Sequence, residues 1–164
     1  MNGATPPEHQ QLKHRRHLRA LATVVVASTL VAACSSVLAA LQENDPASRV
    51  SQLDTITAPN ASADAMIAML QAAELASEND GARAAAKLEA AALRVDLDRM
   101  YRDILSFKRL TVAESGIDAG ERRMGLEQLA TPGNPLRLLA EEQLALMELT
   151  AGDSAAAVNR LSMI

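Results

Sequence analysis

Aromatic residues are almost absent from this chain of 164 residues: one Tyr, one Phe and no Trp. That excludes base-stacking platforms for nucleic acids and aromatic cages for cationic or sugar ligands. It also speaks against a β-sandwich, whose strands favour aromatic and β-branched side chains. Cysteine occurs once, as Cys34, so no disulfide can form within one chain. All three histidines, His9, His14 and His17, fall in the first 19 residues. The remainder of the chain therefore lacks the commonest general base, and beyond Cys34 it lacks the commonest soft nucleophile. No Gly-rich phosphate loop, GxSxG elbow, HExxH or CxxC is present. His14 and His17 lie among four cations and are too few to hold a metal. They suit a solvated basic tail facing anionic lipid headgroups. The expectation is a chain that is not an enzyme and carries no cofactor or metal.

Charge is unevenly divided. Residues 1–41 hold 4 of the 16 Lys/Arg and 1 of the 20 Asp/Glu, which leaves 12 against 19 and a net of −7 for the rest. An acidic domain repels phosphate backbones, so nucleic acid is not expected as a partner. The charge-free run Ala20–Leu41 comes directly after Lys13, Arg15, Arg16 and Arg19. It is long enough for a spanning helix, which needs ~20 apolar residues. The basic cluster before it would stay cytoplasmic under the positive-inside rule. A second reading rests on Val31-Ala32-Ala33-Cys34, which resembles a bacterial lipobox, with acylation at Cys34 after signal cleavage. The apolar character that continues through Val37-Leu38-Ala39-Ala40-Leu41 favours the intact anchor. Both readings put residues 42–164 outside the cytoplasm.

Alanine and leucine dominate the remainder, and both are strong helix formers. A short helix is expected before Pro59. Ser62 is placed as the cap of a helix running to Ser77, with Met66, Met69, Leu70 and Ala73 on its inner stripe. Further helices are expected over 82–95, 98–114 and 118–130, then from Asn134 (cap) and Pro135 (first helical position) to Thr150, and after Asp153. The sequon Asn60-Ala61-Ser62 is read as part of a helix cap. Asp96, Asp98 and Asp103 alternate with Arg94, Arg99 and Arg102, which predicts surface ion pairs. Glu141 and Glu142 suit the positive start of a helix. Helix starts near 62, 98 and 134 recur every 36 residues (62 to 98, 98 to 134), and NDGARAAAKL (79–88) can be laid over GDSAAAVNRL (152–161). That is close to the tetratricopeptide period, in which stacked helix pairs leave a concave groove. The chain thus divides into four regions: a basic cytoplasmic tail, 1–19; an anchor, 20–41, or a lipoprotein signal ending at Cys34; a linker with a short helix, 42–59; and a repeat domain, 60–164.

The motifs Tyr101-Arg102-Asp103, Pro132-Gly133-Asn134-Pro135 and Ala151-Gly152-Asp153 give the chain a resemblance. It resembles the membrane-anchored tetratricopeptide-repeat family of ancillary Sec-translocon subunits, in its alphaproteobacterial form. The resemblance implies an all-α fold: one transmembrane helix, then antiparallel tetratricopeptide-like pairs forming an α-solenoid. It also implies an inner-membrane protein with a periplasmic domain. Its partners would be translocon subunits, periplasmic chaperones or emerging envelope proteins. The alternative is an outer-membrane lipoprotein with helical repeats, active in envelope assembly. Tyr101, Ile104, Phe107 and Leu136 are the candidate groove residues, with core packing between helices as the other role for each. The apolar ending Leu161, Met163, Ile164 lacks the polar cap a terminal repeat needs, so the expectation is either an incomplete last pair or a partner that covers that face.

Overall fold

The computed structural model of this chain describes residues 32–164. All regular structure among them is helical. Residues 32–41 form α1. Then come α2 (Pro46–Asp54), α3 (Ala61–Ser77), α4 (Gly81–Ala92), α5 (Arg99–Thr111), α6 (Ala119–Leu129), α7 (Arg137–Thr150) and α8 (Ser154–Leu161). Among the described residues no helix is long and apolar enough to cross a membrane. The expected tail, 1–19, and the expected anchor up to residue 31 lie outside the described residues.

Most helices start where the sequence supplies a side-chain acceptor. Asp45, Asn60, Asp80, Asp98, Asp118 and Asp153 each accept from a backbone N–H in the first turn of the helix they precede. Each thereby satisfies a donor that has no partner within the helix. Two expected caps are corrected. The cap of α3 is Asn60, whose Oδ1 accepts from Ala63 N at 2.9 Å, and not Ser62. Helix α7 begins at Arg137 rather than behind Asn134, with Leu136 at its cap position and no side-chain cap bond. Asn134 instead closes a turn, accepting from Leu136 N at 2.8 Å through Oδ1 and from Arg137 N at 3.1 Å through its carbonyl.

Each helix from α2 onward packs on its neighbour in the chain, and α3 also touches α5. The inner stripe of α3 differs from the expected one: Met66 and Ala73 are exposed, and Ala61, Ala65, Ala68, Ala72 and Leu75 are buried. Small side chains let helix axes approach toward the close end of the usual ~8–10 Å range, and Ala84 and Ala91 of α4 meet this stripe. Leu53, Leu88, Leu105, Leu126 and Leu144 are the largest fully buried side chains, one each on α2, α4, α5, α6 and α7. Burying a leucine contributes ~1.5–3 kcal/mol, so each of these helices is pinned by at least one such anchor. Helix α5 serves two clusters. Its Leu105 joins the core of α2–α4, whereas its Leu110 joins that of α6 and α7.

The corners α3–α4 and α7–α8 are the same device used twice, 73 positions apart (80 to 153). In the first, Asn79 has φ 59° and Asp80 N donates to Leu75 O at 2.9 Å. In the second, Gly152 has φ 84° and Asp153 N donates to Glu148 O at 2.9 Å. A left-handed residue that folds the chain back onto the last carbonyls ends many helices. Burial agrees at part of the positions: Ile67, Gln71, Ala72, Leu75 and Ala84 are buried, and so are their counterparts Ala140, Leu144, Ala145, Glu148 and Ala157, whereas Ala65 and Leu88 are buried and their counterparts Leu138 and Leu161 are exposed. The α5–α6 connection is built differently, with Val112 extended and Glu114 and Gly116 both at positive φ.

Candidate partner-binding surfaces

Two of the four expected groove residues, Tyr101 and Phe107, pack against different clusters. Tyr101 on α5 is half-buried against the cluster that holds Leu88 and Leu105. Phe107, two turns on, packs against the other cluster, with Leu110, Leu126 and Leu144. Ile104 and Leu136 are partly buried. For Tyr101 and Phe107 the side chain serves as mortar between helices.

Between α5 and α6 lies a cleft of about 550 Å3 whose lining includes Arg99, Asp103, Arg109, Met124 and Asn134. Its polar groups are largely paired with one another. Asn134 Nδ2 donates to Asp103 Oδ2 at 3.0 Å, and Arg109 reaches Glu121 at 2.6 Å. Arg109 Nε is buried with no acceptor among the described residues. The expected aspartate–arginine surface pairs are present in part. Arg94 meets Asp96 at 3.2 Å and Asp64 at 3.1 Å, which raises the Arg94 pKa and lowers that of Asp96. Arg99 meets Asp103 at 3.7 Å. Asp98 instead caps α5, accepting from Met100 N at 2.8 Å.

Arg102 has a role the sequence reading missed. It donates to the carbonyls of Ala92 (3.2 Å), Arg94 (3.0 Å) and Leu97 (3.1 Å), which closes the end of α4. Arg122 does the same for α5, donating to Leu110 O and to Ser115 Oγ. Each arginine stands four residues after a capping aspartate, Asp98 or Asp118. That spacing was the available signal.

In the last pair Arg160 ties α8 to α7, with Glu148 at 2.7 Å and Glu141 at 2.7 Å. The guanidinium lowers the Glu148 pKa against the opposing effect of burial, and the two carboxylates raise that of Arg160. Glu141, expected to answer the helix start, is thus a partner of Arg160. Among the described residues no group of three or more His, Cys, Asp or Glu is placed to hold a metal.

At the other end of the molecule an apolar cleft of about 380 Å3 opens between α1 and α3, lined by Cys34, Val37, Leu38, Met66, Ile67 and Leu70 among others. Cys34 is exposed. Val37 and Ala40 pack on Leu53 and Ile67. The apolar character that persists beyond Cys34 therefore has a reason within the protein. It no longer separates an anchor that continues to Leu41 from a signal that ends at Cys34.

No protein-family model, curated protein or solved structure matches the chain.

Proposed function

We propose that this protein is a non-enzymatic helical-repeat scaffold, tethered to the outer face of the bacterial inner membrane by the run 20–41. Its stacked pairs, an α-solenoid of tetratricopeptide type, bind protein partners beside the Sec translocon or among periplasmic chaperones during envelope protein biogenesis. The observation that carries this reading is the corner used twice, 73 positions apart, with matching backbone bonds and several matching buried positions. Duplicated helix pairs stacked in series present extended surfaces, and helix or peptide recognition on such surfaces needs shape and apolar area rather than reactive groups.

The experiment is crosslinking of the native protein in intact cells, then membrane solubilisation and identification of what co-purifies. Enrichment of translocon subunits or periplasmic chaperones over an unrelated single-span protein is expected. Recovery with outer-membrane assembly proteins in outer-membrane fractions would overturn the inner-membrane reading. A second reading, an outer-membrane lipoprotein, is favoured by one observation: exposed Cys34 borders the apolar cleft. Under that reading Cys34→Ala loses processing and sorting, whereas an intact anchor tolerates it.

A further inference from the structure

The anchor and the domain claim the same stretch of chain. Counted from Ala20, the first residue after Arg19, a spanning helix of ~20 residues reaches Ala39. From residue 32 onward that stretch is α1, and its Val37 and Ala40 pack on Leu53 of α2 and Ile67 of α3. An anchor that ended before Val37 would keep 17 residues, Ala20–Ser36, at the short limit of the ~17–25 that span. Helix α1 is therefore wanted by a membrane on one side and by the domain on the other. Its surface suits both. Cys34, Leu38 and Leu41 are exposed, Leu38 by 63 %, and α1 carries no charge. Ser36 Oγ donates to Ala32 O at 3.0 Å, one turn back, so this hydroxyl needs no water. Charge returns at once after α1, with Glu43 and Asp45. The uncharged face continues onto α3. The cleft between the two helices is lined by Cys34, Leu38, Pro59, Met66 and Leu70 among others, and none of the residues around it is charged. Met66 there is 55 % exposed. The α5–α6 cleft, by contrast, is lined by Arg99, Asp103, Arg109 and Glu121.

We propose that this α1–α3 face is a lipid-contacting surface: the domain sits flush on the membrane, and acyl chains of the outward leaflet fill the cleft. Lipid is the occupant because the face is continuous, along one helix, with the charge-free run that enters the membrane. The charge of the domain agrees. Beyond Leu41 it holds 12 Lys/Arg against 19 Asp/Glu, and an anionic membrane surface repels such a domain wherever its carboxylates face the headgroups. An uncharged face is the kind that can rest there, entering ~5–10 Å into the boundary of headgroups and acyl chains. Because α1 ends the anchor and packs on the domain at once, the helix pairs are held at a fixed height instead of swinging on a tether. This inference rests on the anchor in the reading proposed above.

The test uses the full chain, purified from cells and reconstituted in phosphatidylcholine vesicles. Cys34→Ala is the background, and each variant carries an environment-sensitive fluorophore on one new cysteine. Met66→Cys and Leu38→Cys probe the face. Val95→Cys and Val158→Cys, at positions 97 and 66 % exposed, are the controls. All four replace exposed side chains, so the fold should survive, which circular dichroism checks. The vesicles are then made with nitroxides on the acyl chains. Blue-shifted emission and a loss of fluorescence to the nitroxides are expected at positions 66 and 38, and neither at 95 or 158. Unquenched, water-like emission at all four in a chain that floats with the vesicles overturns the lipid face and leaves the anchor standing. Blue-shifted emission at 66 and 38 that the nitroxides do not quench also overturns it, because protein then covers the cleft, whether residues 1–31 or a second copy. A parent chain that floats while Cys34→Ala does not overturns the face together with the anchor, and gives the cleft to an acyl group on Cys34.

Discussion

The first and last helix pairs share a corner but fill one buried position of it with opposite chemistry. Leu75 on α3 and Glu148 on α7 stand at matching places, 5 and 7 % exposed. Leu75 joins an apolar cluster with Ala72, Ala84 and Leu88. Glu148 accepts from Arg160 and lies 3.6 Å from Arg123 on α6. The basic position of the corner is also shared, Lys87 answering to Arg160, but Lys87 turns away to Asp54 on α2. The corner is therefore set by local backbone signals, the capping aspartate and the left-handed residue before it. What fills the space beneath depends on which helix stacks next.

Moving the charge should disturb this pairing of corners most severely. Leu75→Glu would bury a carboxylate where Lys87 is already committed, and an unpaired buried charge costs about 3–5 kcal/mol. Urea unfolding should show that loss, and adding Lys87→Arg should restore part of it. A Leu75→Glu protein as stable as the parent would mean the two sites are not equivalent. Next in size is the close approach at Gly81. Gly81→Ala forces α4 away from the Ala113 carbonyl, and overpacking of this kind costs about 1–3 kcal/mol. Ser154→Ala, at the matching exposed site, should stay within about 0.5 kcal/mol. Equal losses at both would show that α8 is already as crowded as α4.

A smaller effect separates the two pairs through pH. Glu148 is held below its ordinary value of 4.5 by Arg160. A carboxyl whose pKa is lowered on folding contributes stability that is full above its unfolded value and fades as pH falls through the folded one. Asp45 and Asp96 are lowered too, by the Ser48 amide and by Arg94, so acid weakens the whole chain. The difference between parent and Glu148→Gln isolates the last pair. Thermal melts from about pH 5 to about pH 3 should fall less steeply in the variant, and parallel curves would remove Glu148 from the account. The smallest effect is the one expected to be equal. Asp80→Ala and Asp153→Ala each remove one cap bond, to Arg83 N and Ala156 N, and should each cost ~1 kcal/mol, the exposed Arg83–Asp80 ion pair adding little. Unequal losses would mean that the corners are not locally autonomous.

Helix starts at Asp80, Asp118 and Asp153 were legible because a cap bond spans two or three residues and needs no distant partner. Asn134 does use its Oδ1 on a nearby amide, Leu136 N, but in a turn that precedes α7, while its Nδ2 donates to Asp103, 31 positions earlier. Of the expected stripe on α3, Met69 and Leu70 do pack against the core, whereas Met66 and Ala73 face out. Toward α4 the alanines win, since α4 packs close only where side chains are small. Tyr101 and Phe107 looked like one face, but α5 stands between two clusters and gives one residue to each.

Composition, caps and left-handed turn residues were enough to make the described chain all-helical, to start most of its helices and to repeat one corner. These signals act over a few positions and need no distant partner. Packing in three dimensions was needed to choose which face of each helix is buried and to let Arg102 and Arg122 close the helices before their own. It also buries Leu88 of α4 against Tyr101 and Leu105 of α5, whereas its counterpart Leu161 on α8 is exposed among the described residues. Burial is a relation between elements far apart in the chain, so no stretch of sequence read alone contains it.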